Sequence, residues 1–260
     1  MTKIGSIKKA IIPFALVFSV ACSSLKNTEK QTIEIKSGQQ QSGHFEKMVQ
    51  TNYALNYLIY FPENYITASS DSFPLVLFLH GAGERGSNLD LVKKNGPPML
   101  VEKGKQFPFI LVSPQCPENQ WWDSQSILYL LDNLLETYKI NPDRVYLTGL
   151  SMGGFGTWDL IGKHPEKFAA AIPVCGGGEP IMMWNIGKLP VWAFHGAKDN
   201  VVDVKRSEDM VNAIKRMNGD VQFTVYPEAG HDSWTEAYNT SELYTWMMNQ
   251  NRSKRNLTKK

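Results

Sequence analysis

From about residue 45 the chain alternates short, continuous apolar runs with longer stretches in which apolar side chains recur every three or four positions. Leu75–Leu79, Phe109–Val112, Arg144–Thr148, Ala169–Val174, Val191–Phe194 and Val221–Val225 are runs of the first kind, as expected of strands buried on both faces of a mostly parallel sheet. Tyr53–Phe61, closed by Pro62, reads as an earlier, antiparallel strand. Ile127, Leu128, Leu130, Leu131, Leu134, Leu135 and Tyr138 form one apolar stripe, which predicts a helix capped by Asp123 or Ser124 and ended by Pro142. A second helix is expected to follow Ser151 and stop before His164-Pro165, and a third to span about Ser207 to Met217, ending near Asn218-Gly219. The alternation predicts an α/β fold: a doubly wound, mostly parallel sheet with helices on both faces and its ligands at the carboxyl ends of the strands.

The 260 residues, 42% of them hydrophobic, are enough to bury the core of one such sheet as a single domain. The formal net charge of +2 hides unlike pieces. Residues 1–21 hold Lys3, Lys8 and Lys9, residues 251–260 hold Arg252, Lys254, Arg255, Lys259 and Lys260, and neither segment has an acid. With these eight set aside, the 27 basic side chains fall to 19, against 25 acidic ones. An acidic body speaks against nucleic-acid binding, which needs a concentrated basic face.

Three lysines followed by the apolar run Ala10–Ala21, too short to span a membrane, make residues 1–21 read as a signal peptide. Ser19-Val20-Ala21-Cys22, followed by Ser23-Ser24, resembles the lipobox of bacterial lipoproteins. That likeness implies a lipidated Cys22 and an exported protein, periplasmic or anchored to the outer membrane. Ser19 stands where the motif usually carries Leu, Val or Ile, so plain secretion is the alternative. Residues 22–43 are too polar to fold alone and read as a tether. Residues 44–250 form the folded domain, and residues 251–260 a basic, solvated tail.

Gly149-Leu150-Ser151-Met152-Gly153 stands directly between a predicted strand and a predicted helix. At such a junction G-x-S-x-G forces the serine into a strained turn, with glycines on both sides because a Cβ would clash. A serine hydroxyl is a weak nucleophile, so the motif calls for a histidine base and an acid that orients it. Among five histidines, His231 in Glu228-Ala-Gly-His-Asp232 follows the last strand and is best placed as base. Asp199, just beyond the strand Val191–Phe194, leads as acid, with Asp203 and Asp232 as rivals. The order Ser151, Asp199, His231 is that of the α/β-hydrolase triad. An oxyanion hole needs two backbone N–H groups: Met152 supplies one by position and Ala82, in His80-Gly-Ala-Gly83, the other, with His80 bracing the loop.

Gly81–Gly86 also fits G-x-G-x-x-G, but the next strand runs into Ser113-Pro114-Gln115 rather than ending in an acid, so a dinucleotide site is rejected. No His-Glu-x-x-His, Cys-x-x-Cys or close histidine pair is present, so neither a metal nor another cofactor is expected. The usual strand order of such a sheet would hold Cys116 and Cys175 about 14 Å apart at ~4.8 Å per strand, which favours two buried thiols over a disulfide. Trp121, Trp122, Trp184 and Trp234 fall in loops near the carboxyl edge. There indoles either stack on sugar rings and aromatic acyl groups or anchor the loops, and Trp121, Trp122 and Trp234 are the candidate substrate contacts.

Residues 45–250 together resemble the α/β-hydrolase superfamily, and within it exported carboxylesterases related to dienelactone hydrolase, polyhydroxyalkanoate depolymerase and prolyl oligopeptidase. The shared runs include Leu79-His-Gly-Ala-Gly-Glu-Arg-Gly86, Tyr146-Leu-Thr-Gly-Leu-Ser-Met-Gly-Gly154, Cys175-Gly-Gly-Gly178 and Phe194-His-Gly-Ala-Lys-Asp199. The resemblance implies an α/β-hydrolase fold, with Ser151 as nucleophile, Asp199 as acid and His231 as base. It also implies acyl-enzyme hydrolysis of short-chain or carbohydrate-linked esters, acetyl or feruloyl. Dienelactone hydrolase itself uses a cysteine nucleophile, so Ser151 argues against that activity. A prolyl-oligopeptidase-like serine peptidase and a non-catalytic surface binding protein on the same scaffold are the alternatives. The expected partners are a small-molecule or polysaccharide-linked ester and, through the lipid, a membrane.

Overall fold

The computed structural model describes residues 50–67 and 72–255. The expected signal peptide, Cys22 and the tether to residue 43 lie outside them. Seven strands form one sheet: β1 (Tyr57–Tyr60), β2 (Phe73–Leu79), β3 (Ile110–Pro114), β4 (Ile140–Leu150), β5 (Ala170–Val174), β6 (Val191–Gly196) and β7 (Val221–Tyr226). Their spatial order is β1-β3-β2-β4-β5-β6-β7, with β1 antiparallel to β3 and every other pair parallel.

The continuous apolar runs have a simple cause. In β2, Phe73, Leu75, Leu77 and Leu79 join one core while Val76 and Phe78 join a second, so both faces must be apolar. The first core is covered by α2 (Ser124–Thr137), α3 (Met152–Lys163) and α4 (Lys205–Arg216); the second by α1 (Gly96–Glu102), α5 (Trp234–Asn239) and α6 (Ser241–Met248). This is the α/β-hydrolase fold.

Two expectations need correction. The helix started by Asp123, whose carboxylate accepts from the Ser126 amide, ends at Thr137 rather than at Pro142, which lies inside β4. The register between β2 and β4 jumps from Phe73↔Ile140 to Leu75↔Val145, so Pro142 sits in a bulge where no ladder hydrogen bond asks for its missing N–H. The basic tail is not wholly solvated either. Arg252–Arg255 forms α7, and Arg255 donates to the carbonyls of Pro165 and Phe168.

The parallel register aligns the carboxyl ends of the central strands: Leu79 lies beside Gly149, Leu150 beside Val174, and Val174 beside Phe194. Every loop that leaves these residues opens on the same edge.

Candidate active site

Ser151 occupies the turn from β4 into α3 with φ 52° and ψ −116°, a left-handed conformation that costs a non-glycine residue about 1–3 kcal/mol. Its neighbours hold it there. The Ser151 amide donates to the Val174 carbonyl at 3.0 Å. A Cβ on Gly149 would run into the Gly153 carbonyl, and one on Gly153 into the Leu79 carbonyl. The G-x-S-x-G spacing thus lets β2, β4 and the start of α3 approach backbone to backbone.

His231 follows β7 and places Nε2 2.9 Å from Ser151 Oγ and Nδ1 2.7 Å from Asp199 Oδ2. A carboxylate only accepts, so Nδ1 carries the proton and Nε2 accepts from the serine hydroxyl. The Asp199 side chain is fully buried. Burial pushes its carboxyl up, but the bond from His231 and the amides of Val202 and Val201, each 2.9 Å from Oδ1, outweigh that and hold it below its ordinary value. The rivals are otherwise engaged. Asp203 accepts from the Lys205 amide, and Asp232 caps the first turn of α5 through Thr235.

Met152 is the first residue of α3, where amide N–H groups have no partner within the helix. Ala82 lies exposed in the turn after β2, and the neighbouring Gly81 is so near that an added Cβ would stand 3.6 Å from Ser151 Cβ. Neither amide is among those engaged in turn, loop or cap hydrogen bonds. His80 braces this loop: Nδ1 donates to the Gly81 carbonyl at 2.6 Å and Nε2 accepts from the Cys116 amide at 3.0 Å. Burial lowers its pKa to about 4, against the pull of the Gly81 bond, so it stays neutral.

Along α3 runs a groove of about 470 Å³ whose wall includes Trp121, Trp122, Phe155, Gly177 and Arg206; its link to the serine is Phe155, whose amide donates to the Ser151 carbonyl at 3.0 Å. Trp121 is 65% exposed and meets Phe155 edge-on at 6.1 Å, whereas Trp122 is half-buried, donates to the His80 carbonyl and packs on that imidazole. Trp234 is not in the groove. It begins α5 and stands edge-on to the His231 ring at 5.3 Å, so it shapes the base. Trp184 lies exposed in the turn Pro180–Asn185, which lends Met182 to the groove wall, but is not itself part of that wall. The two cysteines are separate and buried, their thiols pushed up by burial to about 11 at Cys116 and about 12 at Cys175. Among the described residues, no group of three or more His, Cys, Asp or Glu side chains is arranged to hold a metal.

The model of the Dienelactone hydrolase family matches residues 118–254. The chain belongs to this family. As a dienelactone hydrolase family protein it is 42% identical over 121 residues to poly(3-hydroxyalkanoate) depolymerase C of Paucimonas lemoignei, covering 40% of this chain and 28% of that one. It is 26% identical over 201 residues to the bifunctional acetylxylan esterase/xylanase XynS20E of Neocallimastix patriciarum, covering 72% of this chain and 27% of that one. The chain thus spans little more than a quarter of either relative. A solved structure described as a thermostable esterase superposes with a TM-score of 0.67 at 33% identity, covering 76% of this chain and 59% of that one.

Sequence reasoning brings Ser151, His231 and Asp199 to one point and leaves out Phe155, Gly177 and Arg206. These come after the ends of β4, β5 and β6, so the rule that sites form where strands end was the signal that pointed to them.

Proposed function

We propose that this dienelactone hydrolase family member is a serine carboxylic-ester hydrolase acting through an acyl-enzyme on short-chain or carbohydrate-linked esters of the acetyl or feruloyl type. The observation that carries the reading is the relay from the buried Asp199 through His231 to Ser151, which is held in a strained turn between β4 and α3. His231 Nε2 takes the proton as Ser151 Oγ bonds to the ester carbonyl carbon, whose oxygen gathers the negative charge. The amides of Ala82 and Met152 receive that oxyanion. The tetrahedral species then expels the alcohol oxygen, which takes the proton from His231 and leaves an acyl group on Ser151. Water, deprotonated by the same imidazole, repeats the sequence and frees the acid. Asp199 stays ionised and stabilises the imidazolium that forms twice per turnover.

The aromatic wall of Trp121, Trp122 and Phe155 supports the carbohydrate or phenolic side of the substrate. The names of relatives agree in kind, since two of them are called a polyhydroxyalkanoate depolymerase and an acetylxylan esterase. The basic-then-apolar order of residues 1–21 and the lipobox-like Cys22 support export with a lipid anchor. Ser151→Ala is expected to lower kcat on p-nitrophenyl acetate by at least about 10⁴-fold, and undiminished turnover overturns the reading. Rates on acetylated xylan, feruloylated sugars and simple aliphatic esters test the substrate side. Equal rates on all three would defeat the carbohydrate assignment.

A further inference from the structure

Asp199 faces a second histidine. His195, the second-last residue of β6, has a side chain with no exposed surface, and its Nε2 lies 2.8 Å from the Val202 carbonyl and 3.1 Å from Asp199 Oδ2. Both neighbours only accept, so Nε2 carries a proton, which bonds to the Val202 carbonyl with the Asp199 carboxylate close beside it. The other nitrogen, Nδ1, is 2.7 Å from Ser207 Oγ at the start of α4, and that hydroxyl is in turn 2.9 Å from the Gly176 carbonyl just past β5. One ring therefore ties the ends of two strands and a helix to the carboxylate that orients His231.

The loop that carries Asp199 needs such an anchor. Val201 at its tip is 67% exposed, and the segment hangs between β6 and α4. Within it the Val202 amide donates to Asp199 Oδ1 while the Val202 carbonyl accepts from His195, so Val202 links the acid to the buried ring. His231 leans on the same oxygen, Oδ2, as His195, so a rotation of the carboxylate would move the base away from Ser151.

We propose that His195 is a positioning residue of the active site: its Nε2–H, bonded to the Val202 carbonyl 3.1 Å from Asp199 Oδ2, fixes the loop that carries the carboxylate, and through it His231, at the angle that proton transfer from Ser151 requires. This rests on the serine hydrolase reading of the same site. His195 touches neither substrate nor the reacting atoms, so its removal should lower kcat and leave KM alone.

The test uses two substitutions of similar polarity. In His195→Gln the side-chain amide nitrogen reaches the place of Nε2, and in His195→Asn only that of Nδ1, so the first keeps the donor to the Val202 carbonyl beside Asp199 and the second keeps the partner of Ser207. Expected is a fall in kcat of roughly 10- to 100-fold for His195→Asn, with KM within about twofold, and a rate within about threefold of the parent for His195→Gln, at matched melting temperatures. If His195→Asn keeps full kcat, or if His195→Gln falls equally far, the proposal is overturned. Should neither variant fold, the full chain with ¹⁵N-labelled histidine decides: a protonated Nε2 on His195 is expected, and an unprotonated one overturns the assignment. Loss of activity in Ser151→Ala beside normal rates in both His195 variants would defeat this inference alone, whereas an active Ser151→Ala would defeat the parent reading and leave the ¹⁵N result standing.

Discussion

At the carboxyl edge of the sheet, Ser151 sits at φ 52°, the amides of Met152 and Ala82 take no turn or cap partner among the described residues, and the half-buried His231 imidazole meets the serine hydroxyl. At the amino edge every feature does the reverse. There Arg144 Nη2 donates to the Met248 carbonyl, the Tyr146 hydroxyl to that of Gln250, Arg252 Nε to the Asp143 carboxylate, and Arg255 Nη2 to Phe168 at 2.6 Å. One edge keeps strain and unmet hydrogen-bonding capacity, which a substrate could use; the other meets its capacity with the chain's own last residues. Strain of this kind persists only where the surrounding structure over-determines it. The difference between the edges is open to direct tests, of falling size.

The largest effect beyond loss of the nucleophile is expected at Gly153. An added methyl would overlap the Leu79 carbonyl at the carboxyl end of β2, and the start of α3 cannot draw back without pulling Ser151 out of its turn. Gly153→Ala should cost about 3 kcal/mol in urea unfolding and abolish labelling of Ser151 by a fluorophosphonate. Normal labelling at parental stability would show that close backbone contact does not hold the serine in its strained turn.

A second test uses pH at the same edge. His80 is neutral in the fold, with its pKa brought down to about 4 by burial, while the unfolded chain leaves it near its ordinary 6.5. As pH falls from 6.5 to 4 the unfolded chain takes up a proton that the folded chain refuses, so stability is full above this window and drops through it by roughly 3 kcal/mol. His80→Gln should flatten that part of the stability profile. An unchanged slope would mean that His80 does not hold the loop carrying Ala82 as a neutral brace.

The unequal legibility of the two edges comes from the same physics. The elbow is local: Gly149, Ser151 and Gly153 fall within five positions, and the steric demand that joins them is written in that spacing. The strands are legible because burial on both faces leaves only apolar choices, as in Leu75–Leu79. Asp199 stood out over Asp203 and Asp232 by its place after a strand. Contact between distant segments is harder to see in a sequence. α1 opens with Gly96-Pro97-Pro98, α5 and α6 are too short for a clear period, and the role of His195 depends on Ser207 and Val202 in the next loop and helix. The tail is the clearest case. Five basic residues in ten read as solvated, because nothing local says that carbonyls at Pro165 and Phe168 await them.

The smallest expected effect is at that tail. Arg255 lies half-buried, its guanidinium pushed down by burial and then by the neighbouring Arg252 charge, and it binds the carbonyls that lead from α3 into β5. Arg255→Ala removes two donors, but carbonyls near the surface can take water instead, so the loss should be about 1–2 kcal/mol by urea unfolding. Activity should not change with it. Phe168 precedes β5 at its amino end, whereas the site is built on the residues beyond Val174 at the other, with the strand's own hydrogen bonds intact between them. A parental kcat at reduced stability is therefore expected. If kcat falls while stability holds, the tail reaches the serine through β5, and the amino edge belongs to the catalytic apparatus rather than merely supporting it.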